Sequence, residues 1–438
     1  MTDRLLIGTA TAAYQVEGAG GGRGPSIWDT VAARPGAILD GSDGAVACDS
    51  YHRLDEDLDL LAGLGADAYR FSLSWPRVQP GGRGAVDPAG LAYYDRLVDG
   101  LLGRGITPMP TLYHWDLPQA LQDAGGWPVR DTALRFADYA AAAHAALGDR
   151  VPRWATMNEP WCSAFLGHGS GVHAPGIQDP ASAFRAAHHL LLGHALGAQA
   201  MPGAEVGIVC NLSPVLVAEP GHERAAQVVD EIQNRLWLDA LSVGRYPAAM
   251  PEAPEHAEDL ALVRGSAAWL GVNYYTTLRV GSAKPDSVPD QLAYPGAGEF
   301  GMHPRAPVTT MGWEVVPSGL EEVLGTVAAL LPGVPIWVTE NGAAYADGAR
   351  LPDGTVDDQD RIAYLRDHIA AAERARAAGA PVQGYLAWTL LDNYEWAFGY
   401  TQTFGIVEVD RATQDRRPKA SYRWLAEYIA ARSASSAR

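Results

Sequence analysis

The chain alternates between short apolar runs and longer amphipathic stretches along nearly its whole length. Runs of four to six residues, rich in β-branched and apolar side chains, predict strands, and the Ala- and Leu-rich stretches between them predict helices. The eight predicted strands are Leu5–Thr9, Ala68–Ser72, Thr107–Leu112, Arg153–Met157, Glu205–Cys210, Ala268–Val272, Ile336–Thr339 and Val382–Ala387. The predicted helices include Asp55–Leu64, Pro88–Arg104, Asp131–Leu147, Pro180–Met201, Glu223–Leu241, Ser318–Leu331, Gln359–Ala378 and Tyr422–Ala431.

Eight strands, each followed by a helix, are the element count of a single (β/α)8 TIM barrel of the α/β class. In such a barrel the active site lies at the C-terminal face of the strands. No linker divides the chain, so we expect one domain over residues 1–432 and a flexible tail at 433–438. The longest irregular stretch, from Arg279 to Pro317, is rich in Gly and Pro and is expected to be a rim loop after the sixth strand.

Composition narrows the classes of partner. The 438 residues carry 33 Lys+Arg against 51 Asp+Glu, a formal net charge of −18, so we expect neither nucleic acid nor a membrane surface as partner. Cys48, Cys162 and Cys210 stand far apart and predict neither a disulfide framework nor a zinc site. The sequence shows no signal-peptide core and no apolar run of membrane-spanning length. These features predict a cytoplasmic protein and leave open whether it is a monomer or a homo-oligomer.

Polar and indole side chains cluster where the predicted strands end, which is where barrel enzymes place their chemistry. Seven of the eight strands carry such a group, and Asn211 after the fifth is a weaker signal. The residues are Gln15, Arg70, His114, Trp115, Asn158, Glu159, Asn273, Tyr275, Glu340, Trp388, Glu395 and Trp396.

Two of the carboxylates in this set directly follow roughly opposite strands. Glu159 follows the fourth strand and Glu340 the seventh, so both can converge on the barrel axis. A pair of carboxylates flanking one bond is what glycoside hydrolysis requires. Either residue alone could be an ion-pair partner in the barrel, but two of them within a ring of polar side chains favour catalysis.

Neighbouring residues can assign different roles to the two carboxylates. Arg70 is expected to keep Glu340 ionised, because a nearby cation lowers the pKa of a carboxyl group, and Tyr275 can donate to the same carboxylate. The ionised Glu340 and a partly apolar setting are expected to raise the pKa of Glu159 and keep it protonated as the acid.

Five motifs carry a family resemblance that covers almost the whole chain, from GTATAAYQVEGA to RRPKASYRW. They are TMNEP around Glu159, VTENG around Glu340, LYHWDLP, NYY and LLDNYEW, and with them the chain resembles glycoside hydrolase family 1, the β-glucosidase/β-galactosidase family. The resemblance implies a TIM barrel and a retaining mechanism. In that mechanism Glu340 attacks the anomeric carbon, and Glu159 protonates the leaving oxygen and later activates water. The two carboxyl groups should then lie about 5–5.5 Å apart, and neither a metal nor an organic cofactor is needed.

The resemblance also implies how the substrate is held. Trp388 would stack under the sugar ring, and Asn158 would contact its 2-hydroxyl. The other residues implied for sugar hydroxyls are Gln15, His114, Glu395 and Trp396. Trp115 and Phe404 complete the substrate-binding set, and Asn273 is expected to support catalysis beside Arg70 and Tyr275. The residues expected at the aglycone entrance are Trp161, Leu166, His168 and Trp313.

The remaining candidates are interpreted as packing or left open. His188, His189 and His194 share one predicted helix and are expected to be helix histidines, not metal ligands. Five of the 13 Trp residues are assigned to packing and three stay undecided. The packing residues are Trp28, Trp127, Trp154, Trp237 and Trp424, and the undecided ones are Trp75, Trp269 and Trp337.

These observations together predict a retaining β-glucosidase that removes terminal non-reducing β-D-glucosyl residues. Cellobiose, short cello-oligosaccharides and aryl β-glucosides are the expected substrates, with β-galactosidase or β-fucosidase side activity left open. Glu395 and the Lys-free loop AFGYTQTFG differ from relatives that act on 6-phosphorylated sugars and favour an unphosphorylated substrate. The alternatives are an endo-acting cellulase or mannanase with an open groove, and a sugar-binding barrel that has lost catalysis.

Overall fold

The computed structural model describes residues 4–250 and 258–436, with only the backbone described at 433–436. Its centre is a closed barrel of eight parallel strands. In chain order, β1 to β8 are Leu6–Ala10, Ala68–Ser72, Thr107–Tyr113, Arg153–Asn158, Glu205–Asn211, Trp269–Asn273, Ile336–Asn341 and Val382–Trp388. Each strand pairs with its neighbours in sequence, and β8 closes the barrel against β1. The predicted (β/α)8 fold is therefore confirmed.

Eight major helices follow the eight strands in the described part of the chain. In chain order, α1 to α8 are Leu54–Leu64, Pro88–Gly103, Arg130–Leu147, Pro180–Gln199, Glu223–Asp230, Pro317–Leu330, Gln359–Ala377 and Ala420–Ser436. The short helices are Ala13–Val16, Gly20–Gly22, Ile27–Ala32, Trp75–Val78, Gln119–Asp123, Cys162–Ser170, Asp259–Val263, Val288–Ala293 and Trp396–Phe398.

Two helices differ from the sequence expectations. The single helix predicted over Glu223–Leu241 is interrupted, because α5 passes through the π-helical turn Glu231–Arg235 before it resumes as Leu236–Val243. Helix α8 extends to Ser436, four residues into the predicted tail, and residues 437–438 lie outside the described residues.

The segment Arg279–Pro317 follows the sixth strand as predicted, but it is not irregular throughout. Leu278–Gly281 pairs in parallel with Val215–Val217 and antiparallel with Gly301–Met302, forming a three-stranded sheet on the rim. The helix Val288–Ala293 crosses the same segment. The sheet forms by backbone pairing between segments that are distant in sequence. A local pattern rich in Gly and Pro therefore gives little indication of these strands.

Two of the undecided tryptophans fill the barrel interior. Trp269 and Trp337 are almost completely buried there, and glycines on neighbouring strands make room for their rings. A Cβ added at Gly207 would lie 2.4 Å from the Trp269 ring, and one at Gly384 would lie 2.2 Å from the Trp337 ring. Trp75 stacks on Tyr139 with ring centroids 4.9 Å apart, outside the barrel. All three belong to packing.

The predicted packing tryptophans lie in or against the hydrophobic core. Trp28, Trp127, Trp154 and Trp237 are buried, and Trp424 is half-buried and stacks on Tyr428 of the same helix.

The histidines of α4 make ordinary hydrogen bonds. His194 Nδ1 lies 2.7 Å from Thr156 Oγ1, and His189 Nδ1 lies 2.9 Å from the carbonyl oxygen of Trp127. Within residues 4–250 and 258–436, no group of three His, Cys, Asp or Glu residues is placed to hold a metal ion. Over the same residues, no helix is both long enough and apolar enough to cross a membrane.

Candidate active site

A cavity of about 580 Å³ opens at the C-terminal ends of the strands. Most of the residues singled out from the sequence line it. These residues are His114, Trp115, Glu159, Trp161, Leu166, Asn273, Tyr275, Trp313, Glu340, Trp388, Glu395, Trp396 and Phe404.

Glu340 lies near the end of β7, where the strand register shifts against both neighbours. Arg70 Nη1 donates to Glu340 Oε1 at 2.6 Å, and the Tyr275 hydroxyl donates to Oε2 at 2.7 Å. The pKa of Glu340 is raised overall, because burial outweighs the charge of Arg70 and the hydrogen bonds from Tyr275 and Arg70, which lower it. The site thus gives Glu340 strong partners that favour its ionised form.

Glu159 is the first residue after β4, and its backbone is left-handed with φ of 44°. Such a conformation is unfavourable for a non-glycine residue and is characteristic of functional sites. Asn273 Nδ2 donates to Glu159 Oε1 at 2.7 Å, and the Cys162 thiol donates to Oε2 at 3.1 Å. Burial and the charge of Glu340 raise the pKa of Glu159 to about 7. Glu159 thus has two neutral partners, an amide and a thiol. Because its pKa is raised, the carboxyl group keeps its proton up to about neutral pH.

Asn158 connects the two carboxylates. Its Oδ1 accepts from Arg70 Nη2 at 2.6 Å and from Asn273 Nδ2 at 3.1 Å, while its Nδ2 lies 3.0 Å from His114 Nε2. Burial and the charge of Arg70 lower the pKa of His114 well below its usual value, so the imidazole is neutral. A continuous network of hydrogen bonds thus extends from Glu340 through Arg70 and Asn158 to Asn273 and Glu159.

Aromatic rings form one wall of the cavity. His114 stacks against both Trp388 and Trp396, with ring centroids 5.9 Å apart in each pair. The ring centroids of Trp115 and Trp396 lie 4.6 Å apart, and Trp115 Nε1 donates to the carbonyl oxygen of Asn158. Trp28 packs behind Trp396 at 4.7 Å. The wall presents flat apolar faces beside hydrogen-bonding edges, as recognition of a sugar ring requires.

Glu395 is a third buried carboxyl group in the cavity. Burial and the charges of Glu340 and Glu159 raise its pKa to about 8. Gln15 is fixed, since its Nε2 donates to Asn393 Oδ1 at 3.1 Å and to the carbonyl oxygen of Tyr394 at 2.8 Å. Glu395 therefore stays protonated at neutral pH and can both donate and accept.

The loop that carries Glu395 is fixed from behind by a buried ion cluster. The ammonium group of Lys419, which is completely buried, bonds Asp347 at 2.6 Å and Asp392 at 2.8 Å. Asp392 Oδ1 also accepts from the Gly405 backbone at 2.8 Å, which holds the two ends of the loop together. The C-terminal motif RRPKASYRW thus contributes to the site through Lys419.

The outer part of the cavity has aromatic sides. Trp161 packs on Tyr294 with centroids 5.3 Å apart, and Trp313 packs on Tyr275 at 5.1 Å. Leu166 lines this part as well. His168 was also expected at the aglycone entrance, but this expectation is wrong. The π-helix Cys162–Ser170 turns the His168 ring inward, where it is 1 % exposed and bonds the carbonyl oxygen of Ser163.

Three residues implied for the site lie directly behind the cavity wall. Arg70 and Asn158 reach it through their hydrogen bonds, and Gln15 bonds the carbonyl oxygen of Tyr394, which directly precedes Glu395. Sequence reasoning missed several residues that line the cavity, because their position depends on the path of the rim loops. They include Cys162, His173, Tyr294 and Met311.

Comparison with known proteins places the whole chain beside one group of enzymes. The sequence profile described as glycosyl hydrolase family 1 matches residues 1–434. The thermostable beta-glucosidase B of Thermobispora bispora is 45% identical over 437 residues, which cover 98% of this chain and 90% of that protein. The bifunctional beta-D-glucosidase/beta-D-fucosidase of Bifidobacterium breve is also 45% identical, over 98% of both chains. The solved structure of a family 1 β-glucosidase from Thermotoga maritima superposes with a TM-score of 0.91 at 41% identity, covering 98% of both chains.

Proposed function

Because the chain belongs to glycosyl hydrolase family 1, we propose that it is a retaining β-glucosidase in which Glu340 is the nucleophile and Glu159 is the acid and base. It removes terminal non-reducing β-D-glucosyl residues from cellobiose, short cello-oligosaccharides and aryl β-glucosides. The relatives of similar sequence are named for this activity, and one is also named for β-D-fucosidase activity. A 6-deoxy or 4-epimeric sugar is therefore a reasonable secondary substrate.

The observation that carries this proposal is the unequal hydrogen bonding of the two carboxylates. Glu340 is bonded to a guanidinium and a phenol, and Glu159 to an amide and a thiol. Of two coupled carboxyl groups, the one beside a cation ionises first, and its charge then holds the proton on the other. Glu340 is thus prepared to attack, and Glu159 is prepared to donate.

The first half of the reaction forms a glycosyl-enzyme. A Glu340 oxygen bonds to the anomeric carbon as the bond to the leaving oxygen breaks, and Glu159 transfers its proton to that oxygen. Asn158 is fixed by Arg70 and Asn273, and its proposed role is to bond the 2-hydroxyl, a contact that strengthens in the transition state.

The second half restores the enzyme. Once Glu340 is esterified it carries no charge, so the pKa of Glu159 falls and its carboxylate can take a proton from water. The water oxygen bonds to the anomeric carbon and releases Glu340, which retains the β-configuration after two inversions.

The inner end of the cavity suits an unphosphorylated, terminal sugar. Glu395 and Trp396 occupy this end, and a protonated Glu395 can donate to a sugar hydroxyl and accept from another. The buried carboxyl group of Glu395 at this end disfavours a phosphate dianion. An enclosed inner end also favours exo-action over the open groove of an endo-acting enzyme.

We place the protein in the cytoplasm, acting on a small carbohydrate without nucleic acid or membrane as partner. Its three cysteines are free and buried, which suits a reducing compartment. The acidic surface implied by a net charge of −18 suits a neutral substrate that needs no electrostatic steering.

The proposed function is tested with Glu159→Ala and substrates of graded leaving-group ability. This variant should lose most of its kcat/KM on cellobiose and little on 2,4-dinitrophenyl β-glucoside, because an activated phenolate leaves without a proton. Added azide should restore turnover of the activated substrate as β-glucosyl azide. Equal losses on both substrates would contradict the acid/base assignment of Glu159.

A further inference from the structure

Cys162 lines the catalytic cavity three residues after Glu159, and the retaining mechanism assigns it no role. Its Sγ is 3.1 Å from Glu159 Oε2, a short distance for a sulfur donor. Among the described residues, the side-chain hydrogen bonds of Glu159 come from Cys162 and Asn273 alone. The thiol therefore supplies half of the side-chain hydrogen bonds of the proposed acid/base.

A second contact fixes the direction of the thiol. Asn211, at the end of β5, donates from Nδ2 to Cys162 Sγ at 3.7 Å. With its lone pairs directed to this amide, the sulfur directs its proton toward Glu159. The π-helix that begins at Cys162 holds the side chain at the cavity wall, where its residue is 5 % exposed.

The thiol remains protonated in this setting. Burial and the charges of Glu159 and Glu340 raise the pKa of Cys162 well above its usual value. Cys162 is thus neither a nucleophile nor a competing acid, and its neutral S–H is a hydrogen-bond donor.

Resting on the proposed function, we propose that Cys162 is a positioning residue that sets the proton affinity of Glu159 through a deliberately weak hydrogen bond. A donor aimed at a carboxylate stabilises the ionised form. The thiol thus stabilises the charge that develops on Glu159 as it gives up its proton to the leaving oxygen. Because a thiol donates weakly, Glu159 still retains its proton near neutral pH, which a stronger donor would prevent.

This inference predicts opposite effects of two substitutions. Cys162→Ala removes the donor, so the basic limb of the kcat/KM profile should move up by about half a pH unit. The same variant should lose roughly three- to tenfold in kcat on cellobiose and almost nothing on 2,4-dinitrophenyl β-glucoside. Cys162→Ser supplies a stronger donor, so its basic limb should lie below that of the parent enzyme.

Cys210→Ala is the matched control. Cys210 is buried on β5 and carries no hydrogen bond to either carboxylate in the described residues. Its substitution should lower the melting temperature and leave the pH profile and the leaving-group dependence unchanged.

The experiment is a pH profile of kcat/KM for the parent enzyme and the three variants on both substrates. Opposite displacement of the Ala and Ser profiles, with Cys210→Ala unmoved, supports the inference. Coincident profiles, or Ala and Ser displaced in the same direction, would overturn it. A parent enzyme without activity on either β-glucoside would instead contradict the proposed function, so the two failures are distinguishable.

Discussion

The two sides of the catalytic cavity hold chemically similar carboxyl groups in different ways. On the Glu340 side, a guanidinium at 2.6 Å and a phenol at 2.7 Å favour the ionised form. On the Glu159 side, a neutral amide and a thiol bind a group whose pKa burial and Glu340 raise to about 7. In the proposed mechanism, the partners rather than the identity of the side chain therefore assign the roles of nucleophile and acid.

The difference between the two sides should disappear most completely when the proposed nucleophile, Glu340, is replaced. Glu340→Gln keeps the shape of the side chain and removes the attacking oxyanion, so kcat on an aryl β-glucoside should fall on the order of 10⁴-fold or more. The control is Glu17→Gln, which alters another buried carboxylate that pairs with an arginine, here Arg77, outside the cavity. That control should change the melting temperature and not kcat. A Glu340→Gln enzyme that retains most of its activity would refute the assignment.

Removing the guanidinium of Arg70 should make the surroundings of Glu340 more like those of Glu159. Arg70→Met leaves Glu340 without its strongest partner, so kcat/KM should fall roughly 10²- to 10³-fold. The pKa of Glu340, which burial already raises, should rise further. Since Glu340 must be ionised to attack, the acidic limb of the kcat/KM profile should move to higher pH.

Arg77→Met provides the comparison for that experiment. Arg77 is as buried as Arg70 and pairs with Glu17 at 2.8 Å. Its loss should destabilise the fold without moving either limb of the profile. An unmoved acidic limb in Arg70→Met would show that Arg70 does not set the ionisation of Glu340.

A smaller effect should follow from removing the phenol alone. Tyr275→Phe deletes the hydrogen bond to Glu340 Oε2 and should lower kcat/KM about tenfold. Tyr274→Phe is the control, because the neighbouring hydroxyl donates to the carbonyl oxygen of Val316, away from both carboxylates. Equal losses in the two variants would indicate a packing role for Tyr275.

The pH dependence of the parent enzyme should reflect the different protonation states of Glu159 and Glu340. Glu159 acts in its protonated form, so kcat/KM should decline as the pH rises through about 7. Glu340 acts in its ionised form, so kcat/KM should also decline at low pH. A rate that keeps rising above pH 8 would contradict a protonated Glu159 as the acid.

The sequence predicted the barrel and its catalytic end because both depend on local pattern. Each strand is a short apolar run, and the polar residues that follow it meet at one face of the barrel whatever the loops do. Glu159 and Glu340 fall into this class. Arg70 was expected beside Glu340, and the structure places the two groups 2.6 Å apart.

The rim could not be predicted in the same way, because side-chain direction there depends on the path of the loop. His168 was expected at the entrance, but the π-helix Cys162–Ser170 turns it toward the carbonyl oxygen of Ser163. His173, a few residues later, lines the cavity instead. Sequence reasoning assigned Cys162 no role beyond excluding a disulfide or a zinc site, and its contact with Glu159 depends on the left-handed backbone at Glu159.

The packing of the interior tryptophans could not be predicted either, because the residues that explain it lie in distant segments of the sequence. Trp269 and Trp337 carry no pattern that separates packing from sugar binding. Gly207 and Gly384, on the adjacent strands, provide the space that their rings fill. Strand pairing must be known before a glycine on one strand explains an indole on the next.

The central claim is that Glu340 and Glu159 divide the roles of nucleophile and acid. Its most direct test is covalent trapping with 2,4-dinitrophenyl 2-deoxy-2-fluoro-β-glucoside, followed by intact-protein and peptide mass spectrometry. We predict one 2-deoxy-2-fluoroglucosyl group per chain, located on Glu340, with loss of activity that a competing sugar slows. A label on Glu159 or on another residue, or full inactivation without a covalent adduct, would contradict the account.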